Sequence, residues 1–173
     1  MSEGLVLINT GPGKGKTSAA LGVALRALGH GQRVVFLQFI KSMETGESKF
    51  LEDYARRNPD RLFYGRFGLG FVGARPTPGD KARAAEAMAE ASRRRPGAGL
   101  VVLDEINVAL DKGLVSLDEV KEFLASGEEG QNVILTGRGC PPELYELAHT
   151  VTEMAEVKHA YRQGIKAKPG VDY

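Results

Sequence analysis

The chain has a single cysteine, Cys140, and no tryptophan. One thiol excludes an internal disulfide framework and suits a reducing compartment. The histidines His30, His149 and His159 are scattered without metal-ligand spacing, so no structural zinc is expected. No Ser-His-Asp or Cys-His arrangement stands out for nucleophilic catalysis. Neither sign of charge is in excess: 23 Lys and Arg face 22 Asp and Glu, a net charge of +1. That balance gives no reason to expect nucleic acid or an anionic membrane as the main partner. No apolar run approaches the ~20 residues of a membrane span. The first residues lead almost directly into an apolar run, with no signal-peptide pattern. These absences predict a cytoplasmic protein.

What is present is ordinary in bulk. A chain of 173 residues, 42% hydrophobic and 26% charged, reads as one domain spanning residues 1–173. There is no internal repeat and no low-complexity tract. Short β-branched runs recur at 5–8, 34–40, 100–103 and 133–135. They do not alternate, which is the pattern of parallel strands buried on both faces. Helical patterns lie between them. The first runs over 19–28 and stops at Gly29-His30-Gly31. Another is capped by Thr77 with Pro78 at its first position and Asp80 in its first turn. A third opens on the capping-box pattern Ser116-Leu117-Asp118-Glu119, and a shorter one follows Pro141-Pro142. The alternation predicts a three-layer α/β fold around a mostly parallel sheet. Residues 65–79 read as an irregular loop of the kind that often carries function.

The chemistry begins at Thr10-Gly11-Pro12-Gly13-Lys14-Gly15-Lys16-Thr17, followed by Ser18. This is nearly G-x-x-x-x-G-K-[ST], with Thr10 in place of the first glycine. It follows a strand-like run and opens a helix, the context that a phosphate-binding loop needs. Glycines let backbone N–H groups turn onto phosphate oxygens. The helix start favours an anion. Lys16 adds a point charge, and the Thr17 hydroxyl suits Mg²⁺. The fold expected is therefore P-loop NTPase-like (RecA-like). A second element is Leu100-Val101-Val102-Leu103-Asp104-Glu105. Carboxylates at the end of a buried strand call for a cation, and magnesium on a triphosphate would supply it.

Other features leave alternatives open. In Thr136-Gly137-Arg138-Gly139, Arg138 either reaches phosphate or ribose or is an exposed turn residue. Arg26 either pairs with an acid or reaches a ligand. Arg93-Arg94-Arg95 reads as a solvated helix C-terminus. Gly68-Leu69-Gly70-Phe71-Val72-Gly73 fits the dinucleotide fingerprint but leads into Pro76 and Pro78 instead of a helix, and is rejected as such a site. The aromatics Phe63, Tyr64, Phe67 and Phe71 either cover a large apolar ligand or fill the core.

Taken together, these segments resemble the phosphate-loop family of ATP:corrinoid adenosyltransferases. The resemblance runs through Gly13-Lys14-Gly15-Lys16-Thr17, Arg26-Ala27-Leu28-Gly29-His30-Gly31, Gln38-Phe39-Ile40-Lys41, Val102-Leu103-Asp104-Glu105 and Thr136-Gly137-Arg138-Gly139. It continues in Val157-Lys158-His159-Ala160 and in the tail from Gly164 to Tyr173. It implies transfer of the 5′-deoxyadenosyl group of ATP to the reduced cobalt of a corrinoid, with release of triphosphate. Lys16, Thr17 and Glu105 would be catalytic. The loop residues Gly11 to Ser18, with Arg26 and Arg138, would bind ATP. Thr17, Asp104 and Glu105 would hold Mg²⁺ or Mn²⁺, and Phe71 would meet the corrinoid. The family also implies a homodimer and a flavin or flavoprotein electron donor. Its second loop aromatic is replaced here by Gly73, and the N-terminal helical cover of many members has no counterpart ahead of Gly4. A P-loop ATPase or small-molecule kinase shares the loop and the acidic strand end, but predicts γ-phosphate cleavage. A non-enzymatic nucleotide or corrinoid carrier predicts binding without turnover.

Overall fold

The computed structural model describes residues 4–70, 73 and 76–173. Six strands form one parallel sheet: β1 (Val6–Thr10), β2 (Val34–Gln38), β3 (Leu62–Arg66), β4 (Leu100–Asp104), β5 (Asn132–Thr136) and β6 (Thr150–Glu153). Their order is β3-β2-β4-β5-β1-β6, with every pairing parallel. β2 and β4 are buried along their whole length, as non-alternating apolar runs require. Successive side chains still point to opposite faces. Val34, Phe36, Leu100 and Val102 join the core under α1 (Lys16–Gly29) and α2 (Gly46–Arg57). Val35, Leu37, Val101 and Leu103 join the core under α3 (Pro78–Arg94), α4 (Ile106–Asp111) and α5 (Leu117–Ala125). The result is the three-layer arrangement expected.

Helix ends follow local chemistry. Thr77 and Asp80 form a reciprocal capping box at α3, and Ser116 and Glu119 do so at α5. Each such cap contributes about 1 kcal/mol. α1 ends at Gly29 with His30 as its cap, and Gly31 takes the left-handed conformation with φ 81°.

Several segments depart from the expectation. β3 includes Gly65 and Arg66, so the irregular stretch begins only at Phe67. Phe63 and Tyr64 are strand residues, and Phe67 is buried in the core. Phe71 lies outside the described residues. α2, α4 and the edge strand β6 were not anticipated. The arginine run does not end in solvent either. Arg95 is buried, stacks over Phe123, and donates to Gln131 Oε1 at 2.8 Å and to the Phe123 carbonyl. Arg94 lies over Phe63, 4.3 Å from the ring centre. No helix among the described residues is long and apolar enough to cross a membrane.

Cys140 sits beyond β5, and burial pushes its thiol up to about 11. Only about one molecule in a thousand is then thiolate at pH 8. Iodoacetamide at that pH should alkylate the native protein at least ~tenfold more slowly than the urea-unfolded chain, measured by mass spectrometry.

Candidate functional site

Strand order brings the carboxyl ends of β2, β4, β5 and β1 side by side. In open α/β sheets this edge is where ligands bind. The loop after β1 turns there and opens α1. Gly15 is the helix cap, with φ 107°, a conformation that glycine adopts freely. The loop leans on the segment after β6. Gly13 N–H donates to the Met154 carbonyl at 2.6 Å. A Cβ at Gly13 would lie 2.7 Å from both the Met154 and Ala155 carbonyl oxygens, so no side chain fits. Lys16, 7% exposed, donates to the carbonyls of Gly11 at 2.7 Å and Gly13 at 2.5 Å. Burial lowers its pKa, Arg138 lowers it further, and Glu105 and Asp104 oppose the shift.

Asp104 ends β4 with no exposure to solvent. Thr17 Oγ1 and Thr136 Oγ1 donate to its Oδ1 at 2.8 and 2.7 Å. Gln38 Nε2 donates to Oδ2 at 2.9 Å, and Tyr64 OH holds the other end of that amide at 2.6 Å. Lys41 Nζ lies 3.3 Å from Oδ2 and donates to Thr17 Oγ1 at 2.9 Å. Thr136 Oγ1 also accepts from the Glu105 N–H at 2.9 Å. Glu105 itself has φ 65°, the sole non-glycine residue with positive φ among those described. Such a conformation costs on the order of 1–3 kcal/mol and is found where function requires it. Burial and the adjacent Asp104 raise the Glu105 pKa, while Lys41, Lys16 and Arg138 pull it back.

Around these groups lies a cleft of about 610 Å³, large enough for a nucleotide. Gly13 to Ser18 form one wall, with Lys41, Glu47, Glu105 and Arg138 facing them. Residues Gly170 to Tyr173 close one side, where Asp172 pairs with Lys14. Cationic groups therefore converge on a space above a helix N-terminus, an arrangement for a polyanion.

The donor set also fits a hard divalent cation. Among the described residues no group of three or more His, Cys, Asp or Glu could form a metal cage. Magnesium rarely uses one; it takes one or two carboxylates, a hydroxyl and substrate phosphates. Thr17 Oγ1 and Asp104 Oδ1, 2.8 Å apart, with Glu105 on the cleft wall, are that set.

The model of the family described as "ATP:corrinoid adenosyltransferase BtuR/CobO/CobP" matches residues 2–173. The chain belongs to this family. A corrinoid adenosyltransferase of Pseudomonas aeruginosa is 44% identical over 99% of this chain and 84% of its own length. The Escherichia coli K12 relative is 38% identical over 99% of this chain and 86% of its own. Corrinoid adenosyltransferase CobA of Salmonella typhimurium is 37% identical with the same coverage, 99% and 86%. Among solved structures, a KaiC-like protein from Pyrococcus horikoshii superimposes with a TM-score of 0.56 at 17% identity, covering 90% of this chain and 74% of that one. That likeness concerns the fold alone.

In this adenosyltransferase-family chain most sequence-predicted site residues meet. Gly13, Lys14, Gly15, Lys16, Thr17 and Ser18 share the cleft with Glu105 and Arg138, and Thr17 touches Asp104. Gly11 and Pro12 line a smaller cleft, which Arg138 also borders. Arg26 is exposed in the last turn of α1, away from the loop and outside both clefts. Gln38, Lys41 and Thr136 were not assigned roles from sequence, and Tyr64, read there as covering a ligand or filling the core, instead holds the Gln38 amide. The Gln38–Lys41 segment was legible only as part of the family resemblance.

Thr136→Val removes the donor to Asp104 and the acceptor of the Glu105 N–H together. It should cost about 1–3 kcal/mol, read from urea denaturation. ATP affinity should fall as well, because the acidic strand end loses its brace.

Proposed function

We propose that this chain, as a single P-loop α/β domain over residues 1–173, transfers the 5′-deoxyadenosyl group of ATP to a corrinoid. The observation that carries the reading is the family match over residues 2–173, which contains the polyanion cleft whole. The cobalt(I) electron pair of the reduced corrinoid forms a bond to ribose C5′. The C5′–O5′ bond breaks, and its electrons leave on the triphosphate; cobalt is formally oxidised to cobalt(III). No general base is needed, because the nucleophile carries no proton.

The protein's task is then to hold ATP in line and to stabilise the leaving triphosphate. Fixed orientation is worth effective molarities on the order of 10⁵–10⁸ M. Lys16, the N–H groups of the first turn of α1 and Arg138 meet the charge that develops. Thr17, Asp104 and Glu105 would hold Mg²⁺ or Mn²⁺, whose bound charge neutralises the phosphates. Phe71 would stand against the corrinoid, with Gly73 where the family has a second aromatic. Arg26 would reach nucleotide only from the last turn of α1. The reading includes a homodimer, a flavin or flavoprotein electron donor and a cytoplasmic setting. Neither nucleic acid nor membrane enters it.

Incubation with ATP, Mg²⁺ and chemically reduced cobalamin should release triphosphate and form a light-sensitive Co–C bond, followed by absorbance. Release of ADP and phosphate without that product would instead support a P-loop ATPase or small-molecule kinase. Lys16→Ala should lower kcat/KM for ATP about 10²–10³-fold, with the fold intact by circular dichroism.

A further inference from the structure

The geometry points to Lys41 as a further catalytic residue, one that shares the Thr17–Asp104 pair with the divalent cation and is directed from there onto the triphosphate. The inference rests on the adenosyl-transfer reading.

Lys41 follows β2 by a short segment that is firmly held. Phe39 is buried, and its N–H donates to the Asp104 carbonyl at 3.0 Å. That bond ties the segment to the strand end carrying the acid. The Lys41 side chain remains 28% exposed and lines the cleft together with Lys16 and Arg138. Its ammonium contacts Thr17 Oγ1 at 2.9 Å, Asp104 Oδ2 at 3.3 Å and Glu47 Oε1 at 4.0 Å.

Asp104 does not depend on this lysine for its hydrogen bonds. Thr17 and Thr136 supply one oxygen, and Gln38 supplies the other. Lys41 faces the same oxygens that suit the cation, and two positive charges within a few ångströms repel strongly in a partly dry site. A lysine has a flexible stem and a compact charge. Displaced from the pair, Lys41 finds two anions within its reach: Glu47, on the first turn of α2, and the polyphosphate in the cleft. The position is suited to a charge that strengthens its hold as the C5′–O5′ bond breaks and the electron pair settles on the triphosphate oxygen. Lys16 is held by the Gly11 and Gly13 carbonyls and Lys41 by Thr17 and Asp104, so the two lysines meet the leaving group from different anchors.

The test uses Lys41→Met and Lys41→Arg in the full chain. Mn²⁺ titrated into nucleotide-free protein, with the free ion read by electron paramagnetic resonance, should bind Lys41→Met at least ~tenfold more tightly than wild type, because the competing charge is gone. In the adenosylation assay Lys41→Met should lose at least ~tenfold in kcat, with KM for ATP changed less than about threefold. Inhibition by inorganic tripolyphosphate should weaken by a similar factor, and Lys41→Arg should recover part of kcat. Unchanged Mn²⁺ affinity overturns the sharing of the pair. A Lys41→Met kcat within about twofold of wild type overturns the catalytic role. If wild type itself makes no adenosylated corrinoid, the parent reading fails, while the Mn²⁺ and tripolyphosphate arms still decide where Lys41 directs its charge.

Discussion

Taking the Asp104 carboxylate out of water costs several kcal/mol unless donors meet its oxygens, and the architecture around it is arranged to supply them. Thr17 comes from the first turn of α1, Thr136 from the end of β5, and Gln38 from the end of β2. Each of these elements is placed by the sheet order that puts β4 between β2 and β5. The satisfied acid fixes the phosphate loop's helix against the strand ends. The same bonds hold Thr17 Oγ1, on the cleft wall, against Asp104 Oδ1 beneath it, so one group serves both packing and the site.

The strain at Glu105 belongs to this arrangement. Its backbone turns left-handed immediately after the buried acid, while its N–H is held by Thr136. That turn starts α4 and leaves the Glu105 carboxylate on the cleft wall. A relaxed backbone would trade this placement for a modest gain in stability. Glycines do comparable work in the loop, where Gly13 meets the 154–155 backbone too closely for any side chain.

What was legible in the sequence was whatever is written locally. Glycine spacing, the Lys16-Thr17 ending and paired acids after an apolar run are local patterns, and the fold brings them together. Capping boxes at Thr77 and Ser116 state where helices begin. Of the partners of Asp104 only Thr17 was legible; Gln38 and Thr136, and the Tyr64 that holds Gln38, are neutral residues brought together across strands. β3 was obscured by Gly65 and Arg66, which interrupt its apolar run. β6 is an exposed edge strand of mostly polar residues and presents no such run. α2 buries only Ser48 and Leu51, and its capping box uses serine where glutamate or glutamine is usual. Arg95 was misleading because a charge run suggests solvent, whereas its stem and guanidinium fill a gap beside Phe123 and Gln131.

The strand pairings also impose a schedule. β1 pairs with β5 and β6, so Val6 aligns with Val133 and Leu7 with Thr150, and the phosphate loop then rests on Met154. A loop encoded near residue 10 thus waits for segments made well over a hundred positions later. Pairings that distant form slowly, and a chain still emerging from the ribosome has none of them. Nucleotide capture therefore comes at the close of folding. ATP would stabilise the finished molecule by mass action while giving no shelter to its precursors, which makes the nucleotide supply a selector for completed protein.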